Sequence, residues 1–585
     1  MSVWKLKRNK ADTVKMASVL NIKEPVACIL ANRGIGTYKA AMKFLLSPRD
    51  GLYDFELFKD SEKAIDIIKK AVTNRLKIAV YGDYDVDGVM STTILYKALK
   101  YLGADVIFYL PHRQREGYGM NIEAVRHLHE LGVKVILTCD NGIAAIDEIG
   151  EAARLGIVSV IIDHHEPKYE KGPNGEKFDI VPLSEAIIDA KQSKCQYPFK
   201  FLCAAGMSYK FAEALFKSMN RSFVYDDEFM AFAAIATVCD IVSLLDENRI
   251  IVKNGLKLVS KIENKGMKAL IKLTGLEGKE INEYHAGFVI GPCVNATGRL
   301  ESAETAVKLF STDNEEEAYS LAAELVRLNA ERKDMTSKAV EEAIEAVNLT
   351  DLKNDKVLVI YNSQIHESIA GIVAGKVKEA FYKPTIIITD SGQLAKGSGR
   401  SIEAYNMFDE LLKCQELFEK FGGHPMAAGL SLKKENIDIL RKMLNNNCCL
   451  TVEDMTSVIR IDKQLGFDQI DIELALQLEN LSPFGKDCPQ PVFGTKDVSL
   501  KRLSLMGKDK NMLRFTLSHN YKTFVGVSFS GYEKFCRILN ERNILIENIL
   551  GGYMQDFKMD IVYGLNINRY NGRESVQLDI KDFRF

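Results

Sequence analysis

At 585 residues the chain is too long for one ordinary core, and about three or four domains are expected. Its 46% hydrophobic and 27% charged residues are those of a globular protein, and no run approaches the roughly 18 apolar residues a membrane span needs. Met1 to Lys10 (MSVWKLKRNK) leads into no signal-type apolar region, and eleven scattered cysteines form no CxxC pair, so a cytoplasmic protein with neither membrane contact nor structural zinc is expected. The net charge of −2 hides a basic end: residues 486–585 carry 16 Lys/Arg against 11 Asp/Glu.

Residues 1–50 read as helical, with Gly34 and Gly36 breaking the pattern ahead of Ser47-Pro48. SEKAIDIIKKAV (61–72) opens with a capping-type start and keeps helical spacing. Strand-like segments come next at Lys77–Tyr81, Asp105–Leu110, Lys134–Thr138 and Ile157–Ile162, with helical patterns at 90–103 and 121–132 between them. That alternation predicts a parallel, doubly wound sheet with helices on both faces, whose ligands lie beyond the carboxyl ends of the strands.

The residues just beyond each strand are therefore informative. The first strand leads into Asp83, Asp85 and Asp87 of YGDYDVDG (81–88), and the second into Pro111-His112-Arg113 and Glu116-Gly117-Tyr118-Gly119. Cys139-Asp140-Asn141-Gly142 succeeds the third, Asp163-His164-His165 the fourth, and the apolar helical stretch 229–249 carries one acid inside it, Asp240. Three carboxylates within five residues repel one another unless a cation neutralises them, although a solvated acidic turn would also explain YGDYDVDG alone. With imidazoles and further acids converging on one edge, the set suits Mn²⁺ or Mg²⁺ rather than a thiolate zinc site. It is large enough for two ions, which roughly 3.5–4 Å apart can activate water for phosphoester hydrolysis. Asp240 is costly to bury unpaired, so ligation or a salt link is expected of it.

From Thr312 to about Val347 the pattern is strongly helical, with a capping box read at Thr312 and Glu315 and a break read near Lys333-Asp334. Such a helix would span roughly 54 Å and reads as a connector, or alternatively as a solvated arm. A second α/β unit comes after it: strand 356–362, helix 366–381, strand 384–390. In KGSGRS (396–401) the backbone amides, Ser398 and Arg400 could bind a phosphate, or the segment is an ordinary turn. Arg299, in NATGR, is a phosphate or active-site candidate, with a salt bridge to Glu301 or Glu304 as its alternative. Residues 451–585 alternate as short strands and suit an OB-like barrel. Lys501, Arg502, Lys508, Lys510, Arg514 and Lys522 interleave there with Phe515, Tyr521 and Phe524, as in a single-strand groove or as a charged rim over a core-facing aromatic set. The expected plan is α/β: a helical extension at 1–50, a parallel-sheet domain at 51–310, a connector helix at 311–350, a second α/β domain at 351–450 and the barrel at 451–585.

GDYDVDG, CDNG, DHH and TVCDIVSL, in this order, resemble the motifs of the DHH phosphoesterase superfamily. GPCVNATGRLESAETAVKLF (291–310), KGSGRS, FGGHPMAAGL (421–430) and LSPFGKDCPQPVF (481–493) are similar to its RecJ branch, bacterial single-strand-specific 5′→3′ exonucleases, over about residues 50–585. The resemblance implies metal ligation by Asp85, Asp87, Asp140, His164 and Asp240, with Asp83 and His165 also in the site and Asp163 orienting a neighbouring histidine. It further implies a 5′-phosphate site made by Ser398 and Arg400 with Arg113, and substrate contact by His424 of the DHH-associated domain. The chain leaves the pattern at Tyr81, where many relatives have histidine, and at Lys486-Asp487-Cys488, where a glycine and an asparagine usually continue the loop. The expected protein is a monomeric exonuclease of DNA repair and recombination. It would use two Mn²⁺ or Mg²⁺ ions, act on single-stranded DNA with a 5′ end, and work with a helicase and a single-strand-binding protein. The alternatives are a DHH phosphodiesterase of short RNA or cyclic dinucleotides, and a non-catalytic nucleic-acid-binding scaffold.

Overall fold

The computed structural model describes the whole chain except Met1, Gln114, Tyr118, residues 173–174, 508–509 and 551–556, and Asn571. Lys508 and Tyr118 thus lie outside the described residues. The chain divides into two compact units, one of 52–242 and 254–457, the other of 2–51, 243–253 and 458–585.

The first unit begins with the sheet predicted from the alternation. Strands β1 (Ile78–Tyr81), β2 (Val106–Tyr109), β3 (Val135–Cys139), β4 (Val158–Ile162) and β5 (Ala186–Ile188) lie in the order 2-1-3-4-5. Every pairing is parallel, and register fixes Tyr81 beside Thr138, Cys139 beside Ile162, and Ile162 beside Ile188. Strands β1, β3 and β4 are almost wholly apolar and buried, as a sheet covered on both faces requires. One face packs on helices Ile122–Glu130 and Ile146–Arg154 through Ala124, Val125, Leu128 and Ile149. The other is covered by α1 (Val86–Tyr101) and α2 (Ala204–Ser218). The strand order reverses between β1 and β3, which is where such sheets open a crevice for ligands. The strand β5 has only three residues, too few to register as a period.

Helices α3 (Asp226–Cys239) and α4 (Gly291–Leu300) pack against α1, and α5 (Glu315–Leu349) comes next. The expected break near Lys333 is absent: α5 runs unbroken for 35 residues. Its cap is Asn314, whose side chain accepts from the amides of Glu316 and Glu317, rather than Thr312, whose hydroxyl accepts from the Asn314 amide. The first half of α5 packs on α4, and its second half buries Ala339, Ala343 and Val347 against the next sheet, so it joins the two parts of the unit.

That sheet contains β6 (Leu358–Tyr361), β7 (Thr385–Ser391), β8 (Leu394–Arg400), β9 (Phe418–His424) and β10 (Ala427–Leu432), ordered 9-10-8-7-6. Only β6 and β7 are parallel, joined by the crossover helix α6 (Ala370–Phe381). Helix α6 covers β6 and β7 on one face, and α7 (Ile437–Asn447) packs on the other. KGSGRS lies largely on β8, a strand rather than a turn.

In the second unit a six-stranded sheet closes on itself through β11 (Phe493–Met506), β12 (Met512–His519), β13 (Lys522–Ser528), β14 (Lys558–Tyr570) and β15 (Arg573–Arg584), with β11 pairing both β12 and β14. The N-terminal segment belongs to this unit, contributing a strand, Val3–Leu6, parallel to Val458–Ile461 that the sequence pattern did not suggest. Arg249 is fully buried there and donates to the carbonyls of Phe44, Leu481, Ser482 and Pro483, tying three chain segments together. The aromatics of 515–524 divide. Phe515 is buried against Phe535 and Phe583, Phe524 leans on Phe467, and Tyr521 is fully exposed. Lys501, Arg502, Lys510 and Arg514 are exposed, while Lys522 donates to the carbonyls of Asp468 and Ile470.

Candidate metal centre and phosphate cavity

The acids after β1 sit where the chain turns from strand to helix. Asp85 caps α1, accepting from the Gly88 amide at 3.1 Å. A Cβ at Gly88 would lie 2.3 Å from the Asp83 carbonyl oxygen, so only glycine lets the loop fold back this tightly. Asp87 reaches across to α2, accepting from the amides of Ala204 at 2.7 Å and Ala205 at 2.8 Å, which would otherwise be orphan donors at a helix start. Asp140 holds a left-handed backbone, φ 62°, which turns it into the crevice at the end of β3. Asp240 is the first residue beyond α3 rather than inside a helix, at the negative end of the helix dipole.

These side chains converge. His164 Nε2 lies 3.1 Å from Asp140 Oδ1, 3.6 Å from Asp87 Oδ2 and 3.8 Å from Asp240 Oδ2. Three sets each bring their ligand atoms within 4.8 Å of one another: Asp140, His164 and His165; Asp87, His164 and Asp240; Asp83, Asp85 and Asp140. Asp163 stands behind them. Its Oδ1 is 2.7 Å from His165 Nδ1 and accepts from the His164 amide, and its Oδ2 accepts from the Ile143 amide. The other imidazole nitrogen of His165 is left to face the acids.

The electrostatics call for cations. Burial, then Asp85, lifts Asp87 to about 7, and burial, then Asp87 and Asp85, lifts Asp240 to about 8. Burial and neighbouring acids also raise Asp83 and Asp140 well above the usual carboxylate range. Burial and the charge of His165 push His164 down to about 3, the neutral form a metal ligand needs. Burial also depresses His165, but the hydrogen bond and charge of Asp163 outweigh it and hold it near about 9. Both carboxylate oxygens of Asp83 are buried without a hydrogen-bond partner, a cost that hard divalent cations would remove. The residues present fit such ions.

Tyr81 is not part of this cluster. Its ring is buried with Tyr109 on the far side of β1, and its hydroxyl points to the Gly119 carbonyl at 3.5 Å. Sequence reasoning overlooked Asp189, which comes after β5 as Asp163 comes after β4: it is fully buried, with one oxygen on the Lys191 amide and the other unpartnered. The signal was present, an apolar run ended by an acid, but the run is short.

Beside the acids opens a cavity of about 640 Å³, lined by Tyr84, Arg113 and Gly117 from the first sheet's loops and by Ser368, Ser398 and Gly429, among others, from the second part of the unit. That volume suits a nucleotide-sized ligand. Helix α4 lies against the acidic loop, since a Cβ at Gly298 would come within 2.4 Å of the Tyr84 carbonyl oxygen. From it Arg299 donates to the Ser368 carbonyl at 2.7 Å, whereas Glu301 is taken by Arg327. Burial, then Arg113, Arg332 and Arg400, pushes Arg299 down to about 10, and burial with Arg113 lowers Arg400 too. Arg113 stacks over Tyr84 at 5.1 Å. The arginines thus crowd one another and would be relieved by an anion. His424 is exposed at the end of β9, in the same cross-strand row as Arg400 and Ala427.

Comparison with known proteins gives three family matches: the DHH family N-terminal domain at 77–237, the DHHA1 domain at 354–448 and the RecJ OB domain at 461–582. The single-stranded-DNA-specific exonuclease RecJ of Bacillus subtilis is 38% identical over 584 residues, covering 99% of this chain and 70% of the relative. A crystal structure of RecJ in complex with Mn²⁺ from Thermus thermophilus matches with a TM-score of 0.82 at 23% identity, over 100% of this chain and 79% of that one. One in complex with Mg²⁺ from the same organism gives 0.74 at 21% identity, over 100% and 78%. No helix among the described residues is long and apolar enough to cross a membrane.

Proposed function

The chain belongs to the RecJ family of single-stranded-DNA-specific exonucleases, and from that membership we propose that it degrades single-stranded DNA from the 5′ end, releasing 5′ mononucleotides in DNA repair and recombination. The observation that carries this reading is the juxtaposition, in one compact unit, of an acid–histidine cluster short of cations and a cavity lined by the cations Arg113, Lys396 and Lys420.

Asp85, Asp87, Asp140, His164 and Asp240, with Asp83 and His165 contributing, are the proposed ligands of two Mn²⁺ or Mg²⁺ ions, which would neutralise the scissile phosphate and activate water. Asp163 fixes the tautomer and tilt of His165, and the α2 amides fix Asp87. Arg113, Arg299, Ser398, Arg400 and His424 hold the 5′-phosphate, so the terminal phosphodiester is the one presented to the acids. In the barrel, Lys501, Arg502, Lys510 and Arg514 track the backbone of the strand, and Tyr521 offers a stacking face. The domain plan adopted is a phosphoesterase domain at 51–310, a connector at 311–350, an associated domain at 351–450 and the OB-like domain at 451–585. A helicase and a single-strand-binding protein are the proposed partners of a cytoplasmic monomer.

The test is product analysis with Mn²⁺ on end-labelled DNA. We expect mononucleotides from the 5′ end of single strands; preference for duplex or for 3′ ends would defeat the proposal. A substrate preference for dinucleotides over long strands would move the protein to another branch, against which the RecJ OB match at 461–582 argues.

A further inference from the structure

The cavity is longer than a 5′-phosphate requires, and its far end is cationic. On β8 the residues Lys396, Ser398 and Arg400 share one face, while Ala395, Gly397 and Gly399 are buried in the core beneath. Register carries that face across two more strands: Arg400 lies beside Ala427 and then His424, Ser398 beside Gly429 and Gly422, and Lys396 beside Ser431 and Lys420. Successive rows are about 6.7 Å apart along the strands, which puts the lysine row about 13 Å from the arginine row.

The middle row is nearly bare. A Cβ at Gly422 or Gly429 would meet nothing within 4 Å, so a flat backbone floor joins the two cationic ends. The arginine end abuts the first sheet's loops, since the charge of Arg113 reaches Arg400 and Arg113 stacks on Tyr84, next to Asp83 and Asp85. The lysine row lies at the opposite end of that face from Arg400. Lys396 is balanced by Glu367 at 2.9 Å, but Lys420 is exposed and has no ion-pair partner among the described residues. Lys420 thus leaves an unpaired positive charge in the cavity lining two rows from Arg400, where a monophosphate held at Ser398 and Arg400 leaves it unmet.

We propose that this floor is a subsite for 5′-triphosphorylated strand ends, with Lys396 and Lys420 receiving the phosphoryl groups beyond the one held by Ser398 and Arg400. This rests on the exonuclease reading above. On such a strand the first turnover forms a bond from water oxygen to the scissile phosphorus and breaks the bond from phosphorus to the 3′ oxygen of the terminal nucleotide. That oxygen takes the proton. The products are an intact nucleoside 5′-triphosphate and a strand with a new 5′-monophosphate, on which later turnovers proceed as usual. The reaction class that supplies such ends is polymerisation begun without a primer.

The experiment uses the full-length enzyme with Mn²⁺ and two single strands of one sequence, with 5′-monophosphate or γ-labelled 5′-triphosphate. Wild type should release the label as nucleoside triphosphate, with kcat/KM within about tenfold of the monophosphate strand. Lys420→Ala, and Lys396→Ala with Lys420→Ala, should lose about tenfold or more on the triphosphate strand alone, as expected for one lost charge-assisted contact. The monophosphate strand reports both folding and the underlying exonuclease reading. If it is cut while the triphosphate strand resists, the subsite is disproved; if neither is cut, the exonuclease reading itself fails. Release of label as pyrophosphate or phosphate, or equal losses on both strands in the lysine variants, also overturns the subsite.

Discussion

The larger unit gathers two sets of like charges with opposite deficits. Around the switch point of the first sheet, carboxylates are buried beside one another, and Asp87 and Asp240 are lifted to about 7 and about 8. Where the second sheet meets α4 and the loop after β2, guanidinium groups are buried beside one another: Arg299 of α4 falls to about 10, and Arg400 of β8 is lowered too. Each set is costly alone, and each cost is cancelled by a charged ligand of the other sign. The acids are also held from behind by backbone amides and Asp163, whereas the cavity's floor is bare glycine with cations at its ends. On the proposed reading the acid side receives small hard ions. The other is a tray sized for a nucleotide.

Removing charge from each half tests this division. Asp140→Asn should lower kcat by at least about 10³-fold, some 4 kcal/mol of transition-state stabilisation, with strand binding largely kept. The same change should raise the melting temperature of the metal-free protein, because it deletes a buried carboxylate whose neighbours are acids; a fall would contradict the electrostatic account. In the cavity, Arg400→Ala should cost about 10–100-fold in kcat/KM on 5′-phosphorylated strands and much less on 5′-hydroxyl strands. Equal losses on both would remove the arginine from 5′-phosphate recognition.

Much of the first half was legible because its signals are local. A parallel strand buried on both faces is a short apolar run, and the residue after it belongs to the ligand crevice, so Asp83, Asp140 and Asp163 announce themselves. Asp189 obeys the same rule, but the three residues of β5 are too few to show a period. The second half was harder. KGSGRS reads as a loop because glycine weakens a strand, yet Gly397 and Gly399 sit on the buried face of β8 where neighbouring side chains press close, Leu430 on one and Met407 on the other. Arg299 could not be placed from spacing, since its partner, the Ser368 carbonyl, is 69 residues away. The N-terminal strand was equally hidden, its partner lying at Val458–Ile461, near the other end of the chain. In the barrel, alternation located the strands, but register decided that Phe515 is core, and the turn between β12 and β13 that Tyr521 is surface.

Loss of the support behind the acids should cost less than loss of an acid. Asp163→Asn keeps the shape but removes the charge that orients His165, and a drop of about 10–100-fold in activity or metal affinity is expected. A companion change at His165 should add little to it, because the two residues act as one; full additivity would mean that Asp163 works through some other group.

The smallest effect is a proton count. In the metal-free protein Asp87 and Asp240 titrate near about 7 and about 8, so the folded state binds more protons than the unfolded chain between roughly pH 4 and 8. Stability of the metal-free form should therefore fall as pH rises through that window. Ligation needs the carboxylates ionised, so binding Mn²⁺ at pH 7 must expel the protons they still hold. Calorimetry in buffers of different ionisation enthalpy should register release of at least about one proton per protein at about pH 7 and less at about pH 9.5. The Arg299 side of the cavity has no part in that count, since its guanidinium stays charged up to about 10. Release that is the same at both pH values would show that the acids are already ionised without metal, and that the cation deficit setting the two halves apart is smaller than their burial implies.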